Sequence, residues 1–191
     1  MVNAVRHRRG ALTPNHSFQP TSLPSPGSGK AAAKRVHQVE RMEARVWTEA
    51  DYEQMSWHDN HIHALRFVEG QDGTGDLILD LDYILEWLKG DGGGFRFRII
   101  PVTLTFHEVM FPKIAVNYAS ASAAFGPFMI HGIERRFEKR AHYTAQVWKL
   151  PITFPNGEIE FEAQGFTQRA AGAIVESEGQ RLSISERNRG T

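Results

Sequence analysis

The chain has 191 residues, with 22 Lys and Arg against 22 Asp and Glu, no Cys and 41% hydrophobic residues. The lack of Cys excludes disulfides, Cys-ligated zinc, iron–sulfur clusters and cysteine nucleophiles. No apolar run approaches the ~20 residues of a membrane helix, and the N-terminus lacks the apolar stretch of a secretory signal. We therefore expect a cytoplasmic protein that does not associate with membranes.

Residues 1–41 differ from the rest of the chain in charge. They carry seven basic side chains against one acid, a net of +6, whereas the other 150 residues hold 15 basic and 21 acidic side chains, a net of −6. Rich in Pro, Ser and Gly and without apolar periodicity, this segment is predicted to be a disordered basic tail. Three interpretations stay open: it binds nucleic acid or an anionic surface, it is a targeting segment, or it precedes a true start at Met42. The acidic body argues against nucleic acid as the partner.

The body begins with one helix signal and continues with strand signals. Thr48 can cap a helix of about two turns, with the acids Glu49 and Asp51 in its first turn. The segments His61–Glu69 and 77–84 are predicted strands, separated by a glycine-containing turn.

The next predicted strand contains a change of pattern. Apolar residues occupy the odd positions from Phe95 to Ile99 and the even positions from Val102 to Phe106. Such a change within one extended run predicts a bulge or bend near Pro101, which also lacks a backbone donor.

Further strands are predicted at 114–118 and 128–133, followed by a hairpin of 143–154 with 159–166. The Asn-Gly pair at 156–157 is suited to the positive φ angles of a hairpin turn. Short strands without long helices between them predict a mainly β protein. We expect an antiparallel sheet of six to eight strands, curled as a sandwich or half-barrel.

The predicted organisation is a tail, one domain and a second tail. Residues 1–41 form the basic tail, 42–170 the single β-rich domain and 171–191 a polar C-terminal tail. Within that last segment, Leu182 and Ile184 are candidates to dock on the core.

The densest cluster of chemically active residues lies at 57–63. Asp59, His61 and His63 form a D-x-H-x-H pattern, and two histidines at this spacing face the same side of a strand, where they can hold one metal ion. The same pattern opens the metal centre of amidohydrolase-type enzymes, but those need roughly 250 residues of alternating strands and helices. The alternative is that His58 and Asp59 form a turn and that the two later histidines face solvent.

A second candidate pair is Asp80 and Asp82, which share one face of a strand. Together with the histidine pair they could bind a divalent cation or divide acid and base roles. The alternative is an ordinary polar sheet face on which Arg96 and Arg98 of the next strand pair with them.

The sequence also contains two charged groups: an acidic stripe of Glu158, Glu160 and Glu162, and a basic run of Arg135, Arg136, Lys139 and Arg140. Each is a solvated surface, or together they are complementary patches for a protein partner. Motifs for a serine nucleophile or a nucleotide cofactor are absent from the sequence.

The chain resembles a group of uncharacterised bacterial β domains and is similar to small immunity proteins of bacterial toxin systems. The resemblance is carried by Trp57-His58-Asp59, Ile62-His63, Leu79-Asp80-Leu81-Asp82-Tyr83-Ile84, Trp87 and Pro101-Val102-Thr103-Leu104-Thr105-Phe106. It covers about residues 55–170 and implies a cytosolic protein that binds a partner and has no catalytic residues.

Two functional expectations follow. The first is a protein-binding, immunity-like module without catalysis or cofactor, which binds another protein. The second is a metal-dependent enzyme in which the ion activates water. The candidate binding residues in both cases are His58, Asp59, His61, His63, Asp80 and Asp82, with His61 and His63 as the candidate metal ligands.

Overall fold

The computed structural model describes residues 46–90, 92–119 and 125–187. The basic segment 1–41 lies outside these residues, so its predicted disorder stays a prediction. The strands are β1 (Val46–Thr48), β2 (His61–Glu69), β3 (Gly75–Lys89), β4 (Phe95–Val116), β5 (Phe128–Ile130), β6 (Glu134–Lys139), β7 (Thr144–Phe154), β8 (Gly157–Glu162), β9 (Gly165–Ala170) and β10 (Val175–Ser177).

These ten strands form one antiparallel sheet, which confirms the predicted mainly β class. The sheet has the order β1-β9-β4-β3-β2-β5-β7-β6, with β8 paired to both β4 and β7 and β10 paired to β4. The path through β4, β3, β2, β5, β7 and β8 therefore returns to β4. Ten strands exceed the expected six to eight. Two of the additional strands, β1 and β10, have three residues each, too few to show a periodic pattern.

The described residues contain two short helical segments. A 3₁₀ helix spans Glu49–Gln54, and the backbone N–H of Thr48 donates to Asp51 Oδ2 at 2.8 Å, so the predicted N-terminal helix is confirmed. A single α-helical turn, α1, spans Ile184–Arg187. No helix in the described part of the chain has the length and apolarity needed to cross a membrane.

The main core lies on the inner face of the sheet. Leu77, Leu79 and Leu81 of β3 are fully buried there, and aromatic rings of other strands fill the space between them. Phe106 packs against Trp148 at a ring distance of 5.2 Å and against Phe161 at 4.8 Å. Burial of these side chains is the dominant favourable term in folding.

The predicted bulge near Pro101 is wrong. The pairing of β3 with β4 runs in unbroken register from Leu77–Phe106 to Ile84–Ile99, and shifts occur only beyond those two pairs. The apolar pattern changes because the buried face changes. Up to Ile100 the odd positions of β4 face a second, smaller cluster on the outer face, and from there on the even positions face the main core.

The second cluster is covered by the C-terminal segment, which we define as residues 175–187. Leu182 is buried against Ile84, Phe97 and Ile99, with Val175 of β10 packed beside them. The segment expected to be a polar tail is therefore partly docked. Leu182 docks as the sequence suggested, whereas Ile184 is 78% exposed.

The hairpin of β7 and β8 is confirmed, but its glycine has another role. The φ angle of Gly157 is not positive, so the turn does not depend on a glycine in the left-handed region. A Cβ at Gly157 would lie 2.9 Å from Val116 Cα in β4 and still closer to the carbonyl oxygen of Ala115. Glycine is needed here because two backbones approach each other closely.

Candidate functional site

The residues singled out in the sequence lie along the path of the C-terminal segment across the outer face. Its strand β10 pairs with β4 at Phe97–Ile99, and the chain then reaches Asp59 ahead of β2 through Gln180. It returns to β3 at Asp82 through Leu182. The segment therefore contacts β4, β3 and the turn that precedes β2.

Asp82 is the centre of this contact. Its side chain is fully buried. Oδ2 accepts hydrogen bonds from the backbone N–H of Leu182 at 2.8 Å and lies 2.8 Å from His63 Nε2, while Oδ1 accepts from the Arg187 guanidinium. A buried carboxylate is tolerated only when such donors replace water. The register places His61 directly opposite Asp82, so the histidine and aspartate clusters share one place on the sheet.

Asp80 shares Arg187 with Asp82. The second terminal nitrogen of the guanidinium donates to Asp80 Oδ1, so one arginine joins both carboxylates. The predicted pairing of the two aspartates with Arg96 and Arg98 is wrong. Arg98 pairs with Glu86 at 3.1 Å, and Arg96 pairs with Glu176. The register explains this, because it places Thr103 and Pro101, not arginines, opposite the two aspartates.

His63, two residues after His61, reaches Asp82 on the same outer face, and a register shift lies between Ile62 and Ala64 at this point of β2. His61 Nδ1 is buried and has no hydrogen-bond partner among the described residues. Burial, and next to it the positive charge of Arg181, hold the pKa of His61 below its usual value of 6.5. The C-terminal segment thus supplies, through Arg181, a positive charge that disfavours protonation of His61.

His58 and Asp59 lie at the rim of the contact. Asp59 adopts a left-handed φ of 61°, and its backbone N–H donates to the carbonyl of Ile130. Its Oδ2 accepts from Gln180 Nε2 at 2.9 Å and lies 3.1 Å from His58 Nδ1. The exposed His58 ring contacts His131 at 4.9 Å between centroids. The turn at Asp59 therefore contacts the C-terminal segment as well.

This arrangement binds a segment of the chain itself. Both oxygens of Asp82 already accept hydrogen bonds, and the described residues include no group of three or more His, Asp or Glu placed to hold a metal ion. The residues singled out in the sequence lie on the face that this segment covers. Sequence reasoning missed Arg187 and Gln180, since a single polar residue in a polar segment carries no periodic signal.

The acidic stripe and the basic run are complementary to each other. Arg136 reaches Glu160 at 2.9 Å and Arg140 reaches Glu162 at 2.6 Å, while Lys149 of β7 pairs with the third acid of the stripe. The hydrogen bond to buried Glu162 raises the pKa of Tyr143. These side chains are engaged within the chain, whereas Arg135 of the basic run pairs with Glu49 and Glu53 outside the stripe.

An aromatic surface occupies the other end of the outer face, near the turn between β3 and β4. Trp87 is 45% exposed and Phe95 is 54% exposed. The Trp87 ring packs edge-on against Phe95 at 5.7 Å and against buried Phe97 at 4.9 Å. We call Trp87 and Phe95 the aromatic pair. Sequence reasoning missed it because alternation alone does not show which face is covered.

Beside the aromatic pair, β3 has an open edge. β2 pairs with β3 only as far as Asp82. Beyond that pair, the backbone N–H of Ile84 in β3 donates to the side-chain oxygen Oδ1 of Asn60 at 3.2 Å. From 85 to 89, β3 pairs with β4 alone within the described part of the chain.

Comparison of the chain with models of protein families, with curated proteins and with solved structures finds no match.

Proposed function

We propose that the chain is a protein-binding module without catalysis, of the immunity-like kind that the sequence resemblance implies. The partner binds at the open edge of β3 next to the aromatic pair. The single observation that carries this proposal is the coincidence of an unpaired strand edge with two half-exposed aromatic rings on one hairpin.

The open edge supports strand addition by the partner. A strand that is paired on one side only presents unsatisfied N–H and C=O groups, which an extended segment of another protein can pair with. Among the other edges, β6 is a poorer template, because charged residues, Arg135 and Arg136 among them, occupy most of its positions. Charge on an edge strand blocks this kind of pairing.

The aromatic pair supports an apolar anchor in the partner. Aromatic side chains dominate the energy of many protein interfaces, above all when a rigid neighbour holds them in place. Trp87 has such a neighbour, since the buried Phe97 packs against its ring. The partner segment is therefore extended and carries apolar side chains at alternate positions on the side that faces the rings.

Photo-crosslinking tests where the partner binds. A benzoylphenylalanine replaces Trp87 in one version of the chain and Phe137 of β6, which is 62% exposed, in the other. Both versions are expressed in the native host cells of the protein, where its partner is present. We expect one protein to crosslink through position 87 and not through position 137. The crosslinked protein is then purified and titrated against the wild-type chain.

Calorimetric titration with that purified protein completes the test. We expect Trp87→Ser to raise the dissociation constant by about tenfold or more, as for an interface anchor, and Phe137→Ser to leave it unchanged. β2 pairs with β5 only at His61 and Ile62, so its other side is open further along the strand. Loss of affinity in Phe67→Ser, in this part of β2, with normal affinity in Trp87→Ser would overturn the proposal. Crosslinks between two copies of the chain alone would also contradict it, in favour of self-association.

A further inference from the structure

The aromatic pair is one half of a longer apolar row on the outer face. The cross-strand pairs Trp87–Phe97 and Ile84–Ile99 place these residues on the same side of the sheet. Phe95 adds to the row next to the turn. The half nearest the turn is exposed, and the half from Phe97 onward is covered by Leu182 and Val175. The C-terminal segment thus covers part of a continuous apolar surface.

We propose that the C-terminal segment is a latch that opens and closes over the inner half of this row, and that the open form binds the partner more tightly. This inference rests on the proposed function for the identity of the occupant. The extended partner segment that contacts Trp87 would continue onto Phe97 and Ile99 when the latch is open. In the closed form the chain is autoinhibited, because binding must compete with Leu182.

The latch is attached by few contacts. Its regular structure consists of three residues in β10 and one helical turn, and only β10 joins the sheet ladder. Elsewhere it is held by the Leu182 side chain, by Gln180 on Asp59 and by the donors to the two aspartates. Segments with few buried apolar contacts open at a lower free energy than the rest of a protein.

Arg187 makes the docking cooperative. One guanidinium holds Asp80 and Asp82, and Leu182, five residues earlier, donates its N–H to the same buried carboxylate. Loss of Arg187 therefore weakens the anchor of the whole turn, while the core strands on the inner face keep all their contacts. Arg187→Ala is the substitution that favours the open form most selectively.

Thiol labelling measures the opening without any partner. The chain has no Cys, so the thiol of an Ile99→Cys variant is a unique probe beneath the latch, and that of Ile159→Cys is a matched probe in the main core. We expect labelling at position 99 to be at least about tenfold faster than labelling at position 159, because the latch opens at a lower free energy than the core unfolds, and we expect Arg187→Ala to speed labelling at position 99 by about tenfold or more. Equal labelling rates at the two positions, or no acceleration at position 99 in Arg187→Ala, overturns the latch.

Titration with the crosslinked partner tests the autoinhibition. A closed form lowers the apparent affinity by the fraction of open molecules, so we expect Arg187→Ala to bind the partner more tightly than wild type. Faster labelling at position 99 with unchanged affinity would contradict autoinhibition and leave binding at Trp87 intact. Absence of binding by every variant would reject the proposed function and, with it, the autoinhibition, whereas the labelling result would still establish opening.

Discussion

Asp82 combines complete burial with a negative charge, and its donors come from two distant parts of the chain. His63 approaches it from β2, and Leu182 and Arg187 approach it from the C-terminal segment. Removing one partner of a buried charge is costly, since water cannot replace the lost donor fully. The stability of the outer face therefore depends on this one carboxylate.

We expect Arg187→Ala to lower the free energy of unfolding by about 2 kcal/mol, the range for a hydrogen bond to a charged group. Urea denaturation monitored by tryptophan fluorescence measures this change. The control is Arg98→Ala, whose pair with Glu86 is largely exposed and for which we expect a loss below about 1 kcal/mol. Equal losses in the two variants would show that Arg187 does not anchor the segment.

His61 predicts a dependence of stability on pH. The pKa of His61 is lowered in the folded protein, first by burial and then by Arg181, with His63 adding to this effect and Asp82 opposing it. The unfolded chain therefore binds the proton more readily, so this contribution is intact above pH 6.5 and declines as the pH falls below it. Chemical denaturation at several pH values between 5 and 8 follows the decline.

The matched control replaces the histidine. We expect His61→Gln to flatten the loss of stability between pH 7 and 5, while His142→Gln, at an exposed position in the turn before β7, keeps the wild-type slope. An unchanged slope in His61→Gln would show that another group titrates in this range. Glu158, whose pKa the hydrogen bond from Lys149 lowers, acts at a lower pH because its usual value is 4.5.

At the residue scale, the side chains singled out in the sequence lie together on the sheet, whereas the side chains that contact them from the C-terminal segment were not singled out. Strand alternation placed Asp80 and Asp82 on one face, and the D-x-H-x-H spacing placed the histidines together. Arg187 lies 105 positions beyond Asp82, and no local pattern links residues so far apart. Arg96 and Arg98, the predicted partners, lie on the neighbouring strand β4, but the register places them several residues away from the positions opposite Asp80 and Asp82.

At the scale of strands, β4 shows how one alternating pattern can have two meanings. A change of apolar parity indicates a bulge when one face of a strand is covered throughout its length. β4 is covered on its outer face near residue 99 and on its inner face further along, so its register with β3 stays intact. Single-strand periodicity cannot show which element covers which face.

The hairpin of β7 and β8 offers a test at this scale. Gly157→Ala forces a Cβ against the backbone of Ala115 and Val116, so we expect a loss of about 2 kcal/mol in unfolding free energy. Gly132→Ala is the control, since a Cβ there meets nothing within 4 Å, and we expect little change or a gain of about 0.5 kcal/mol. Thermal or urea unfolding of both variants decides; equal stability of the two would rule out a backbone clash at Gly157.

At the scale of the molecule, the sheet closes on itself through β8, which pairs with β4 and β7. The sequence predicted an antiparallel, curled sheet, but its closure depends on pairs between residues far apart, such as Ile114 with Ile159. Closure leaves few free edges in the described structure, and the one beside Trp87 is accompanied by exposed aromatic rings. The proposed binding surface is thus a consequence of the topology.

Hydrogen–deuterium exchange of the wild-type chain, alone and with the crosslinked partner, tests the central claim most directly. We expect the amides of β3 between 85 and 89 that point away from β4 to exchange rapidly in the free chain and to become protected on binding, since an added strand supplies their missing hydrogen bonds. The amides of β6 serve as the internal control and keep their exchange rates. Protection confined to β6 or to the open side of β2, with residues 85–89 unaffected, would contradict the account.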